Sequence, residues 1–200
     1  MRPRELAPGL WRWEAPHPDW TPSATPGSPA DWPRDVGSVL YETDEAVTLV
    51  DALLPAAPET FLRWLDELVR GRSVVCLTTI AFHHRSREAI VERYGASTSR
   101  ARGNLPAGVE TFAVRRAGET MVWLPGPRAL VPGDRLLGDD AGGLRLCPES
   151  WLRYLPSKIG LAELREALRP LLELPVELVL VSHGEPVLTG GREAIARALG

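Results

Sequence analysis

Three of the chain's four histidines fall where an apolar run breaks into a loop. His83 and His84 are adjacent in Thr78-Thr79-Ile80-Ala81-Phe82-His83-His84, behind the run Val74 to Leu77. His183 lies in Ser182-His183-Gly184-Glu185-Pro186, behind Val176 to Val181. Gly133-Asp134 ends another such run, Arg128 to Val131. Imidazole serves metal ligation and proton transfer alike, and open α/β sheets place their ligands beyond the ends of strands. The plain alternative for a histidine pair on a loop is a structural or solvated role. His17 belongs to a different setting, a loop rich in Pro, Ser and Thr from Ala15 to Arg34 that also carries Trp20 and Trp32. So long a loop in a compact domain is commonly functional. His17, Trp20 and Trp32 would then wall a pocket; otherwise the tryptophans pin the loop and His17 faces solvent.

The elements that must position these residues can be read from apolar spacing. Val74 to Leu77 is too short for a helix and is bounded by Ser73, so it reads as a buried strand. A helix follows, capped by Ser86, with Ile90, Val91 and Tyr94 on one face and Gly95 as a left-handed stop. Upstream, Leu6 to Trp13 reads as an edge strand, and Val36 to Glu42 and Ala46 to Asp51 as strands joined at Thr43-Asp44-Glu45. Pro58 to Arg70 is a helix whose stripe is Phe61, Leu62, Leu65, Leu68 and Val69, closed by Gly71. Downstream, Val109 to Val114 and Glu119 to Leu124 are strands, and Trp151 to Glu173 is helical by its leucine spacing. Val176 to Val181 is a buried strand, and a short helix begins after Thr189. Asp139 and Asp140 read as solvated residues of a glycine-flanked turn.

Two hundred residues with 44% hydrophobic and 24% charged content suit one soluble domain spanning 1–200. A net charge of -3 and a pI near 5.9 argue against nucleic acid or an anionic membrane as partner. No apolar run approaches the ~20 residues of a membrane span. The N-terminus has no apolar signal core, which points to the cytoplasm. Cys76 sits inside a strand pattern and reads as a reduced core residue; its distance in sequence from Cys147 argues against a metal-binding pair.

Taken in order, these landmarks resemble the metallo-β-lactamase superfamily. The loop at 78–84 is similar to that family's T-H-x-H-x-D-H signature: Thr78 and His84 match, Thr79 and Ala81 stand in place of the first two histidines, and His83 in place of the aspartate. Leu49-Val50-Asp51 resembles the strand ending in I-D-T-G, whose aspartate braces the metal loop. Gly133-Asp134 resembles the strand ending in G-D, and the Ser182–Pro186 turn resembles the closing G-H-G-x-P. The resemblance implies an α/β fold, an αββα sandwich of two mixed sheets with helices on the outer faces. It also implies one surviving metal site at His83, His84, Asp134 and His183. The other site's imidazoles are lost, since residues 101–128 contain no histidine either. A set of imidazoles with one carboxylate suits Zn²⁺ best, with Fe²⁺ or Mn²⁺ as alternatives.

Two functions follow from the resemblance. One is single-metal hydrolysis of a small ester, thioester, lactam or phosphoester, with Asp134 orienting the water. The other is a catalytically inactive member of the fold that binds a small ligand or a partner and holds no metal.

Overall fold

The computed structural model describes residues 3–22, 25–99 and 105–200; residues 23 and 24 of the long loop lie outside that description. A six-stranded sheet runs in sequence order: β1 (Arg4–Ala7), β2 (Leu10–Pro16), β3 (Asp35–Glu42), β4 (Ala46–Val50), β5 (Ser73–Leu77) and β6 (Ser97–Ser99). Its first pairs are antiparallel and its last two, β4–β5 and β5–β6, are parallel. Parallel neighbours need a crossover. The helices α1 (Glu59–Val69) and α2 (Arg87–Tyr94) supply these.

The second sheet has four strands in the order β12, β9, β8, β7: Leu178–Val179, Ala129–Val131, Glu119–Leu124 and Glu110–Val114. A small hairpin, β10 (Leu136–Gly138) with β11 (Leu144–Leu146), stands beside it. The remaining helices are α3 (Leu161–Leu168) and α4 (Gly191–Leu199).

Side-chain alternation divides the core into layers. Along β5, Val74 and Cys76 join Leu49, Phe61, Leu65 and Ile90 between the first sheet and its helices. Val75 and Leu77 point the other way, meeting Val122, Leu124, Ala129, Val131 and Leu178 between the two sheets. The partners of those strands obey the same rule: Met121, Trp123, Leu130 and Val179 turn outward onto Leu164, Leu168 and Ile195 of α3 and α4. A strand whose two faces are both apolar is covered on both sides. The result is helix, sheet, sheet, helix: the αββα arrangement that the resemblance implies.

Several elements differ from the expectation. Leu6 to Trp13 is broken by Pro8 and Gly9 (φ 71°) into a hairpin, β1 and β2. The stretch Trp151 to Glu173 is not one helix. Its start, Glu149–Leu152, and its end, Arg169–Glu173, are 3-10 turns around α3. Gly160 opens α3, and Pro170 lacks the N–H to continue it. Ser86 stands at the N-cap of α2, but its hydroxyl does not cap the helix and accepts the Leu54 N–H at 2.9 Å instead. Asp139 is not merely solvated, since its Oδ1 accepts the N–H groups of Ala141 and Gly143 at 2.9 and 2.6 Å and so closes the β10–β11 turn. Among the described residues, no helix is long and apolar enough to cross a membrane.

The inter-sheet layer should dominate stability. Leu124→Ala empties a fully buried position there and should lower the unfolding free energy by about 2–5 kcal/mol. Phe82→Ala, at a position 76% exposed, should change it by less than about 0.5 kcal/mol. Urea denaturation of both variants checks the contrast.

Candidate metal centre

The site is built outward from the end of β4. Asp51 leaves that strand with φ 46°, a backbone region that non-glycine residues enter seldom. Its carboxylate is buried and grips the loop after β5. Oδ1 accepts the Thr79 N–H at 2.9 Å, and Oδ2 accepts both the Thr79 hydroxyl and His83 Nδ1, the latter at 2.8 Å. With Nδ1 committed to a carboxylate, the other ring nitrogen is aimed away from Asp51, as in ligand histidines oriented from behind.

That nitrogen, His83 Nε2, lies 3.0 Å from Asp134 Oδ1, and His183 Nε2 lies 3.4 Å from the same oxygen. The ligand atoms of His83, Asp134 and His183 all sit within 4.8 Å of one another. They arrive from different elements: the β5–α2 loop, the turn between β9 and β10, and the turn after β12. His183 is set by its carbonyl, which accepts the Gly138 N–H at 2.9 Å. The approach is so close that a Cβ on Gly138 would meet the Glu185 carbonyl oxygen at 2.2 Å, so only glycine fits. The His183 ring is walled by Trp32 and Trp151, with centroids at 5.8 and 5.7 Å.

Asp134 is held through its backbone. Glu119, at the start of β8 and buried, accepts three N–H groups in its carboxylate: Gly133 at 3.1 Å, Asp134 at 2.7 Å and Arg135 at 2.9 Å. Gly133 packs so tightly that a Cβ there would meet Thr79 Oγ1 at 2.5 Å. Thr79 therefore touches both halves of the site, Asp51 by hydrogen bonds and the 133–135 turn by contact.

No protein-family model matches this sequence, and no curated protein matches it. Solved structures do. A metallo-β-lactamase from Pontibacter korlensis is 17% identical, with TM-score 0.62 and coverage of 99% of this chain and 98% of that one. The DIM-1 metallo-β-lactamase is 13% identical, with TM-score 0.60 over 99% and 95% of the two chains. VMB-1 is 10% identical, with TM-score 0.59 over 100% and 98%. The fold is that of the metallo-β-lactamases.

Within the metallo-β-lactamase fold the residues expected at the site divide. His83, Asp134 and His183 converge. His84 does not: it is absent from that cluster and from the pocket wall, and its Nδ1 is buried with no hydrogen-bond partner. Two adjacent side chains in a tight turn leave it in different directions, and the next inward-turning residue is Arg85, at φ 42°. Arg85 donates to the carbonyls of Gly37 and Asp51, both at 2.6 Å, and to Ser182 Oγ at 3.3 Å, so it ties β3, β4 and the His183 turn together. Thr79, at the first signature-histidine position, is spent on Asp51, and Ala81, at the second, is exposed. His17 lines the pocket with its ring edge-on to Trp32 at 5.2 Å. Trp20 is not on the pocket wall. It donates from Nε1 to the Trp32 carbonyl at 2.8 Å and braces the loop. Arg85, Glu119 and Trp151 escaped sequence reasoning; the one visible signal was an acidic residue opening the apolar strand Glu119–Leu124.

The electrostatics follow from burial and pairing. Burial lowers the His83 pKa, but Asp134 and Asp51 outweigh it and hold the ring at about 9. Burial raises Asp134, but the facing His83 and His183 bring it well below the ordinary carboxylate value. Asp51 is lowered for the same reason, against its burial, by His83. His183 is lowered by burial despite Asp134. Glu119 is pushed to about 7, first by burial, with Arg135 pulling back and Asp134 adding to the rise.

The donor set fits one divalent ion. Ligand bonds of about 2.0–2.2 Å to a single tetrahedral ion place the donor atoms roughly 3.3–3.6 Å apart. The His183–Asp134 separation of 3.4 Å falls in that range, His83–Asp134 at 3.0 Å is shorter, and all three donors lie within 4.8 Å of one another. Asp134 Oδ1 is buried and has no hydrogen-bond partner although both imidazoles are beside it. The three donors lie close enough to share one ion, and His83 and Asp134 close enough to pair with each other when none is held. His183 Nδ1 is likewise buried without a partner.

Two outcomes follow. Glu119→Gln keeps the shape but turns an NH₂ toward backbone donors. Zinc affinity should fall about 10- to 100-fold in a chelator competition, with a stability loss of about 1–3 kcal/mol. The second concerns pH. A histidine raised from 6.5 to about 9 stabilises the fold fully below 6.5 and loses that contribution as pH rises through about 9. Glu119, raised from 4.5 to about 7, acts in a lower window. The melting temperature of chelator-treated protein should therefore fall between pH 7 and 9. A flat profile there would mean that His83 is neutral.

Proposed function

We propose that the chain is a hydrolase of a small ester, thioester, lactam or phosphoester that works with one divalent ion, zinc before iron or manganese, held by His83, Asp134 and His183. One observation carries this reading: three donors from three separate loops converge at 3.0 and 3.4 Å around a buried carboxylate oxygen with no hydrogen-bond partner. Two imidazoles and a carboxylate leave coordination positions open, which is the composition of a catalytic rather than a structural zinc site. Such an ion supplies Lewis acidity and brings the pKa of a water down to ~7.

The chain's own residues do the rest. Asp51 fixes the His83 ring so that Nε2 faces the pocket. Glu119 fixes the backbone of Asp134, whose carboxylate would orient the attacking water. Trp32 and Trp151 shield the His183 side from solvent. His17, at the pocket wall, has its pKa lowered by burial and by Arg85, with Asp19 opposing.

A second reading has its own support. Without metal, the carboxylates of Asp51 and Asp134 are matched by His83 as imidazolium and by the buried Arg85 guanidinium. Charges so balanced leave the site self-sufficient, as in an inactive member of the fold that binds a ligand. Metal content separates the two. Protein purified without a histidine tag should take up one equivalent of zinc, His83→Ala and His183→Ala should each abolish that uptake, and His84→Ala should retain it. Absence of metal in the unaltered protein, or full occupancy in His183→Ala, would leave the binding reading in place.

A further inference from the structure

The pocket in front of the three donors has a volume of about 460 Å³, within the range of about 300–1,000 Å³ typical of small-molecule sites. Its wall is aromatic and pre-assembled. Ser150 Oγ donates to the Gly27 carbonyl at 2.6 Å and Trp151 Nε1 to the Ser28 carbonyl at 3.2 Å, so the long loop is tied to the turn at Glu149–Leu152 across the site. The large apolar side chains left exposed among the described residues are Phe82, at 76%, and Tyr154, at 69%. Scattered singly, such residues mean little. These two line the same pocket.

The polar inventory points the same way. Arg85 is engaged by Gly37, Asp51 and Ser182. Arg135, also on the wall and 2% exposed, donates from Nε to the Ala117 carbonyl at 3.0 Å and faces Cys147 Sγ at 3.8 Å. These arginines spend most of their donors on the protein itself, Arg85 Nε alone being buried without a partner, and the carboxylates on the wall are Asp19 and Asp134. A dianionic phosphoester finds little to receive it here; an uncharged apolar body finds rings on several sides.

We propose that the substrate is a neutral carbonyl compound, an ester or thioester, with an aromatic acyl body that packs against Trp32, Trp151, Phe82 and Tyr154 while its carbonyl reaches the His83–Asp134–His183 end. This rests on the hydrolase reading and narrows it. In the reaction, the oxygen of water adds to the carbonyl carbon and the C–O or C–S bond breaks. The leaving oxygen or sulfur takes that electron pair and a proton from the water, and nothing is oxidised or reduced.

Calorimetric titration with neutral amides tests the acyl preference without requiring turnover. With zinc or with chelator present, 3-phenylpropanamide should bind at least about tenfold tighter than acetamide, and inorganic phosphate should not compete with it. The double variant Phe82→Ala/Tyr154→Ala, changed only at exposed positions, should lose about tenfold of that affinity. Equal affinities for the two amides, effective competition by phosphate, or an unchanged double variant would overturn the proposal. Hydrolysis of phenyl 3-phenylpropanoate by the zinc form is the separate arm. Preferential amide binding with no hydrolysis would overturn the hydrolase reading while sustaining the aromatic ligand class. Hydrolysis with the same KM for phenyl acetate would do the reverse.

Discussion

The buried carboxylate of Asp51 is the interaction on which the rest of the site depends. It lies at the end of a central strand, in an uncommon backbone conformation, and accepts hydrogen bonds from Thr79 and His83. An ionised group so deep is tolerated only when paired and fully hydrogen-bonded. That requirement couples the loop to the sheet: moving the loop away would strand the charge. The His83 ring is therefore oriented before any ligand arrives, and the direction of its Nε2 follows from a strand end rather than from loop chance.

A second constraint acts at the other side of the site. The two sheets must approach closely enough for loops from both to meet. Gly37 N–H donates to the Ser182 carbonyl at 2.8 Å, and Arg85 reaches Gly37, Asp51 and Ser182 together. The contact of Gly133 on Thr79 does the same for the Asp134 turn. Glu119 completes the pattern as a second buried carboxylate that organises a loop by accepting its backbone N–H groups. Each half of the donor set thus has its own carboxylate behind it, and Thr79 lies between them.

Much of this was legible in the sequence, for physical reasons. Alternation along Val74–Leu77 and Glu119–Leu124 sorts side chains to opposite faces of a strand, and the layers follow from it. His183 and Asp134 were readable because each ends an apolar run, so the strand dictates where its turn emerges. The choice between His83 and His84 was not readable, since periodicity says nothing of which side chain of a tight turn faces inward. Arg85 was hidden by the same limit. The short strands β10 and β11 carry too few residues to show alternation, and Trp151 belongs to a 3-10 turn inside a stretch whose leucines read as one helix. The role of Glu119 was hidden as well, because partners that are all backbone N–H groups leave no mark in a sequence.

The chain has the fold of the metallo-β-lactamases, and its loop differs from the signature it resembles: Thr79 serves Asp51 where an imidazole is expected, and His83 serves the pocket where a carboxylate is expected. The central claim is that this loop supports one metal position and lacks the other. Anomalous scattering at the zinc absorption edge, from crystals grown with zinc, locates the ion directly. The account predicts a single peak about 2.0–2.2 Å from His83 Nε2, Asp134 Oδ1 and His183 Nε2, with Asp51 still on His83 Nδ1. No peak among those atoms, a second peak beside Thr79, or an ion held by His84 would contradict it.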